Sequence, residues 1–180
     1  MLIVSQNLTK YDMTFPDDVI LRINLAWINN LDELKEILIK YSHNDIFLDL
    51  PTKRLKPPSN KYTMDELVPI IRENKNIKYF AVSNVEHPDD ISKIKSKLPP
   101  NVIIVPKIES IPAIHNIDNI VNSLGENRII MLDHDDLYSC ILKGGHPSEK
   151  LRDYIEHLEK FCNNNNTILL KTRGVIFSCK

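Results

Sequence analysis

Apolar, β-branched runs alternate along the chain with segments in which apolar residues fall at helical spacing. The runs are typical of β-strands, and the spacing between them is typical of amphipathic helices. Because parallel strands cannot be joined by tight turns, this alternation predicts parallel strands connected by helical crossovers. Seven strands are predicted, at Leu2–Ser5, Val19–Ala26, Asp45–Leu50, Ile77–Val85, Val102–Glu109, Arg128–Asp133 and Thr167–Thr172.

Several residues mark where the predicted helices begin and end. Thr63-x-x-Glu66 resembles a capping box, although Pro69 would strain that helix if it lies beyond the first turn. Gly125 is the predicted stop of one helix, and Ser148 is the predicted N-cap of the last one. The other apolar stripes cover residues 31–41, 91–98, 114–124 and 151–161.

Two architectures fit alternating strands and helices: an open, doubly wound sheet and a closed (β/α)8 barrel of the TIM type. At 180 residues a barrel would be short beside the usual length of about 250 residues. The candidate eighth strand, Gly174–Cys179, follows the seventh with no room for a crossover helix. These observations predict a single α/β domain over residues 1–180 and leave both architectures open, with the eighth strand the weakest part of a barrel. An exposed strand edge there predicts a homo-oligomer.

Composition excludes several classes of protein. The chain is 42% hydrophobic, which is enough for a folded core, and it carries 23 basic against 24 acidic residues, which gives no attraction to nucleic acid or membranes. No apolar run approaches the length of about 18 residues that a membrane span needs. Three cysteines without a C-x-x-C pair argue against disulfides and structural zinc. We expect a cytoplasmic protein with neither nucleic acid nor membrane as a partner.

Charged residues end several of the predicted strands. Lys107 and Glu109 share one face at the end of the fifth strand, and Asp133 to Asp136 follow the sixth. In α/β proteins ligands bind outside the carboxyl ends of the strands, and Mg²⁺ prefers carboxylate oxygens. Glu109 and Asp136 are therefore candidate metal ligands with Lys107 beside them. Taken one at a time, these residues are more typical of solvated turns, and Asp133 to Asp136 alone is typical of an exposed acidic loop.

In this order, the charged segments resemble the catalytic barrel of pyruvate kinase and, more loosely, the phosphoenolpyruvate/pyruvate superfamily that includes citrate lyase and HpcH/HpaI aldolase types. The K-I-E segment is the most specific of the matches. The matching segments are Arg22 to Ala26 for the family's R-x-N-F-S, Leu48 to Lys56 for L-D-L-P-G-P-K-I-R, Phe80 to Val85 for I-A-x-S-F-V, Val105 to Glu109 for A-K-I-E, Ile130 to Leu137 for I-M-V-A-R-G-D-L, and Leu170 to Arg173 for the A-T-Q strand.

The resemblance implies a compact (β/α)8 TIM-type barrel that is incomplete at its eighth strand, and it also implies roles for individual residues. It implies that Glu109 and Asp136 hold Mg²⁺ or Mn²⁺, and that Lys107 stabilises an enolate or a phosphoryl group in transfer. It further implies that Arg22 contacts phosphate and that Thr172 lies near the substrate. The implied substrate is pyruvate, phosphoenolpyruvate or a related 2-oxo acid.

The same resemblance places Asn24 and Asp49 near a monovalent-cation site, for which K⁺ is the expected ion. The sequence also departs from the family at three places: Ala26 replaces serine, Lys56 replaces arginine, and His134-Asp135 replaces the Arg-Gly that helps to seat the substrate carboxylate. Only a short loop follows Lys56, so the lid domain of pyruvate kinases is missing there, and the allosteric C-terminal domain is also expected to be absent. Without a lid that excludes water and clamps a nucleotide, efficient phosphoryl transfer to ADP is disfavoured, whereas enolate chemistry on a small oxo acid stays open.

Two hypotheses follow from these observations. The first is a minimal metal-dependent enzyme that acts on a 2-oxo acid through an enolate, by lyase, aldolase or phosphotransfer chemistry. The second is a degenerate barrel that binds a metabolite or a protein partner without turnover.

Overall fold

Seven strands and seven α-helices alternate along the part of the chain that the structure, a computed structural model, describes: residues 3–5, 18–52, 58 and 61–171. The strands are β1 (Ile3–Ser5), β2 (Ile20–Asn24), β3 (Ile46–Leu50), β4 (Ile77–Val82), β5 (Ile103–Ile108), β6 (Ile129–Leu132) and β7 (Ile168–Lys171). The helices are α1 (Leu31–Lys40), α2 (Met64–Glu73), α3 (Pro88–Lys95), α4 (Ile111–His115), α5 (Ile117–Asn122), α6 (His134–Lys143) and α7 (Lys150–Asn164), and a 3-10 turn covers Leu25–Trp27.

The chain divides into two units, of which the first comprises Met1–Ser83 with Pro88–Pro106 and the second Asn84–His87 with Lys107–Lys180. In the first unit, β1 to β5 pair in chain order, and every pair is parallel. In the second unit, the last residues of β5 pair with β6, and β6 pairs with β7, again in parallel. The predicted α/β class and the parallel strands are thus confirmed. The predicted eighth strand lies outside the described residues, so barrel closure stays a prediction, as does the single domain.

The core of the first unit is built on β3, which is buried along its whole length. A strand covered on both faces needs a continuous apolar run, and this one reads Ile-Phe-Leu-Asp-Leu, with Asp49 as the exception. Helices α1 and α2 each bury one stripe, Leu34 with Leu38 and Leu67 with Ile71. Each fully buried side chain of this size stabilises the fold by about 1.5–3 kcal/mol.

The predicted capping box begins α2. The Thr63 amide donates to Glu66 Oε2 at 2.8 Å, and the Glu66 amide donates to Thr63 Oγ1 at 3.4 Å, so both donors are satisfied reciprocally. Pro69 lies inside α2 and beyond its first turn. Since proline has no N–H, one backbone hydrogen bond of this helix cannot form.

Several predicted boundaries are wrong. Strand β2 ends at Asn24 and not at Ala26, because Leu25–Trp27 form a 3-10 turn. The segment 114–124 forms two short helices rather than one, because Asn116 leaves helical geometry and its side-chain amide donates to the Glu86 carbonyl at 2.7 Å. The N-cap of α7 is Glu149 and not Ser148, and it makes no side-chain cap hydrogen bond. Strand β4 ends at Val82, and Asn84 beyond it has a positive φ of 53° that no strand can contain.

Candidate metal centre

Strand β5 delivers two opposite charges to one place at its carboxyl end. Lys107 and Glu109 are two residues apart, so their side chains leave the same face of the strand. Lys107 Nζ lies 2.6 Å from Glu109 Oε1, and the two side chains are only 5% and 3% exposed. A pair this deeply buried is retained only where its charges are matched closely, since each ion loses its hydration.

Asp133 joins this pair from the end of β6. Its backbone amide donates to the Ile108 carbonyl at 3.3 Å, which continues the pairing of β5 with β6 by one residue. Asp133 Oδ2 then lies 3.2 Å from Lys107 Nζ. Lys107 is therefore in contact with two carboxylates at once.

The acidic segment 133–136 is not the exposed loop that its composition indicates. Asp133 is the N-cap of α6, and its Oδ1 accepts from the Asp136 amide at 3.5 Å. Carboxylates are favoured at a helix N-terminus by the helix dipole and by the amides that have no partner within the helix. The helix is held to the second unit by Leu137 and Ile141, which are buried one turn apart.

Three carboxylates come together at this point. One ligand oxygen from each of Glu109, Asp133 and Asp136 lies within 4.8 Å of the other two. Glu109 is buried, Asp133 is partly exposed and Asp136 is exposed. Oxygen ligands on opposite sides of Mg²⁺ are about 4 Å apart, so this donor set fits a hard divalent cation. Three carboxylates and one ammonium leave two formal negative charges, the number that such an ion would neutralise.

Residues 84–87, which belong to the second unit, fix the orientation of Glu109. The Asn84 amide donates to Glu109 Oε2 at 2.7 Å from a left-handed backbone conformation that asparagine tolerates better than most residues. The same segment is tied down where Ser110 Oγ donates to Glu86 Oε1 at 2.6 Å. Asn116 holds the segment as well, through the Glu86 carbonyl. Both oxygens of Glu109 are thus positioned by neighbours.

Burial raises the pKa of Glu109 above its ordinary value. The charge and hydrogen bond of Lys107 and the Asn84 amide all lower this pKa, whereas the charge of Asp133 raises it. The net direction is upward, so Lys107 does not fully compensate the loss of water around this carboxylate. An added cation would stabilise its ionised form.

The first unit holds three other predicted site residues, Arg22, Asn24 and Asp49. Asn24 and Asp49 lie opposite each other on β2 and β3. Asp49 is completely buried, and Arg22 donates to its Oδ2 from Nε at 3.1 Å and from Nη2 at 2.5 Å. Asn24 Oδ1 accepts from the Ala26 amide at 3.0 Å and so caps the 3-10 turn. Arg22 is therefore already ion-paired with Asp49, and the side-chain oxygen of Asn24 serves a structural role.

The structure brings Lys107, Glu109 and Asp136 together as the sequence predicts. It adds Asp133, which the sequence alone did not single out as a ligand, because that role depends on the backbone of β5. Thr172 lies outside the described residues. It stays a prediction that the site residues of the first unit share one binding site with Lys107, Glu109 and Asp136.

No family model matches the chain, and no curated protein matches it. Among solved structures, the chain is similar to RipC from Yersinia pestis, with a TM-score of 0.61 and 14% sequence identity over 94% of this chain and 73% of RipC. At this level of identity the likeness shows the α/β fold alone. None of the described helices is long and apolar enough to pass through a membrane.

Proposed function

We propose that the protein is a divalent-metal-dependent enzyme of the pyruvate kinase-like superfamily that acts on pyruvate, phosphoenolpyruvate or a related 2-oxo acid through an enolate. The observation that supports this function best is the meeting of buried Lys107 with the Glu109, Asp133 and Asp136 carboxylates. Lys107 and Glu109 lie in the segment that resembles A-K-I-E. In the segment that resembles I-M-V-A-R-G-D-L, Asp136 matches the family's aspartate, and Asp133 stands where the family has alanine.

Glu109 and Asp136 are the proposed ligands of Mg²⁺ or Mn²⁺, and Asp133 completes the set of oxygen donors. When bound, the ion supplies a Lewis acid that polarises the carbonyl oxygen of a 2-oxo acid. The protein positions the Glu109 oxygens through Lys107 and Asn84, so little reorganisation is needed to receive the ion.

Lys107 is the proposed electrostatic catalyst. Its ammonium is held in place by Glu109 and Asp133, and its burial strengthens its field at a substrate oxygen. When a proton passes from the carbon next to the carbonyl to a solvent base, negative charge moves onto that oxygen. A fixed ammonium beside the oxygen favours the enolate over the keto acid.

The remaining expectations belong to the same proposal. Arg22 would contact phosphate, and Thr172 would lie near the substrate. K⁺ would bind near Asn24 and Asp49. The barrel would be closed by the chain beyond β7. The ion pair of Arg22 with Asp49 reduces the charge that Arg22 can offer to a phosphate. Enolate chemistry is thus favoured over phosphoryl transfer. We further expect the enzyme to be cytoplasmic and to form a homo-oligomer.

The first experiment is a Mn²⁺ titration followed by calorimetry. We expect saturable binding that Glu109→Gln weakens by at least about tenfold, since a charged ligand is lost. Glu156→Gln is the matched control, because Glu156 pairs with Arg152 on the exposed face of α7. Absence of saturable binding, or equal effects of the two variants, would overturn the proposed function.

The second experiment measures enolate formation as exchange of the pyruvate methyl protons in D₂O by NMR. Exchange that depends on Mn²⁺ and is lost in Lys107→Met supports an enzyme. Metal and pyruvate binding without exchange would instead favour the degenerate barrel that binds without turnover. Exposed Lys160 on α7 provides the control substitution, Lys160→Met.

A further inference from the structure

The cluster at Lys107 is unusual in its balance of charge. In the part of the second unit that the structure describes, both ion pairs of the cluster draw on the one ammonium of Lys107. Glu109 and Asp133 contact this ammonium, and the Asp136 carboxylate lies close to both of their carboxylates. With a divalent cation in place the formal charges of the cluster sum to zero, so the cluster as a whole has no net positive charge to attract an anionic ligand.

A substrate's own charge therefore decides how well it is accepted. A 2-oxo acid with a single carboxylate can offer its carboxylate and carbonyl oxygens to the metal. A phosphate group adds further negative charge that must lose its water beside three carboxylates. Unmatched charge in a poorly hydrated site is costly, so each added charge weakens binding.

Asp133 is the residue that sets this balance. Its Oδ2 is 3.2 Å from Lys107 Nζ, so its charge offsets part of the field that the ammonium presents to an anionic ligand. Its position is fixed at both ends, because its amide donates to the Ile108 carbonyl and its Oδ1 caps α6. Asp133 cannot turn away from Lys107 without losing the cap.

We propose that Asp133 is a specificity-determining residue that restricts the site to unphosphorylated 2-oxo acids and rejects their phosphorylated counterparts. This inference rests on the proposed function and narrows its substrate class. Pyruvate and phosphoenolpyruvate form the matched pair of ligands, since they share a three-carbon skeleton and differ by the phosphate group.

The test measures the water-proton relaxation of the Mn²⁺-loaded protein while each ligand is titrated. We expect pyruvate to bind the wild-type protein more tightly than phosphoenolpyruvate. Asp133→Asn removes the charge and keeps a good N-cap, so it is expected to shift the affinity ratio toward phosphoenolpyruvate by about tenfold. Asp135→Asn removes an exposed charge one residue from Asp136, and we expect a shift of less than about twofold.

The outcomes separate this inference from the proposed function. Tighter binding of phosphoenolpyruvate than of pyruvate by the wild-type protein overturns the inference alone, and so do equal shifts from Asp133→Asn and Asp135→Asn. Complete loss of Mn²⁺ binding in Asp133→Asn would show that Asp133 acts by holding the metal, and it would overturn the assignment of specificity to this residue. Failure of the wild-type protein to bind Mn²⁺ overturns the proposed function and this inference together.

Discussion

Lys107 Nζ and Glu109 Oε1 lie 2.6 Å apart in a region that water hardly reaches. The pair brings together two residues of β5's carboxyl end, and the Asp133 carboxylate contacts the same ammonium. Its burial has a consequence for stability as well as for chemistry, because a single buried charge costs more than a matched pair.

We expect Lys107→Met to lower the free energy of unfolding by about 3–5 kcal/mol, since Glu109 is left buried without its partner. The double variant Lys107→Met/Glu109→Leu should recover part of this loss. Lys97→Met, which breaks an exposed ion pair with Asp65, should change stability by only about 0–1 kcal/mol. Urea unfolding measures all three, and equal effects of Lys107→Met and Lys97→Met would contradict the expectation.

The raised pKa of Glu109 predicts a dependence of stability on pH. Because this pKa is higher in the folded than in the unfolded chain, the folded state binds the proton more tightly. Lowering the pH from above the folded pKa toward the unfolded value of about 4.5 therefore stabilises the folded state.

Glu109→Gln removes this titration. The difference in free energy of unfolding between the wild-type protein and Glu109→Gln should therefore shift in favour of the wild type as the pH falls through that window. Chemical unfolding at several pH values, without added metal, measures the difference. If this difference in free energy of unfolding stays constant, or shifts in favour of Glu109→Gln as the pH falls, burial does not dominate the pKa of Glu109.

The left-handed backbone of Asn84 makes a distinction between two small substitutions. At a φ of 53° glycine is unstrained, whereas alanine costs roughly 1–2 kcal/mol. We expect the free energy of unfolding of Asn84→Gly to exceed that of Asn84→Ala by roughly 1 kcal/mol or more. Both variants keep the backbone amide that donates to Glu109. Equal unfolding midpoints in urea would argue against this backbone conformation.

Cys162 should be inert to thiol reagents in the folded protein. Its side chain is buried, and burial raises the pKa of the thiol to about 11. Cys140 is partly exposed and should react at pH 8. Labelling with a chromogenic disulfide in a Cys179→Ser background, before and after unfolding, distinguishes the two thiols.

The same shift in pKa affects stability at high pH. The thiol of Cys162 ionises at a lower pH in the unfolded chain than in the folded one, so stability should fall as the pH rises from 9 toward 11. The free energy of unfolding of Cys162→Ser should lack this part of the dependence on pH. Rapid labelling of Cys162 in the folded protein would contradict its burial.

The strands could be predicted because their signal is local. The β-branched runs place β3 and β5 within one residue of their observed ends, and the capping box at Thr63 places the start of α2. Helix α6 could not be predicted, because three polar residues precede Leu137 and only two buried positions carry its helical period.

The candidate site could be predicted only in part. Alternation along one strand places Lys107 and Glu109 on one face, and that much needs no tertiary structure. The role of Asp133 depends on its hydrogen bond to Ile108, and the role of Asn84 depends on a left-handed backbone. Neither relationship has a signature within a few residues of sequence, since each joins segments that are distant along the chain.

The segment 84–87 belongs with the second unit although the chain on either side of it belongs to the first. A fragment that starts at Lys107 would therefore lack the amide that Asn84 donates to Glu109. A single cut in the gene before Lys107 therefore loses those four residues, whereas a cut before Asn84 keeps them only together with Pro88–Pro106 of the first unit. Engineering the second unit as a separate protein would require grafting the four residues onto Lys107–Lys180.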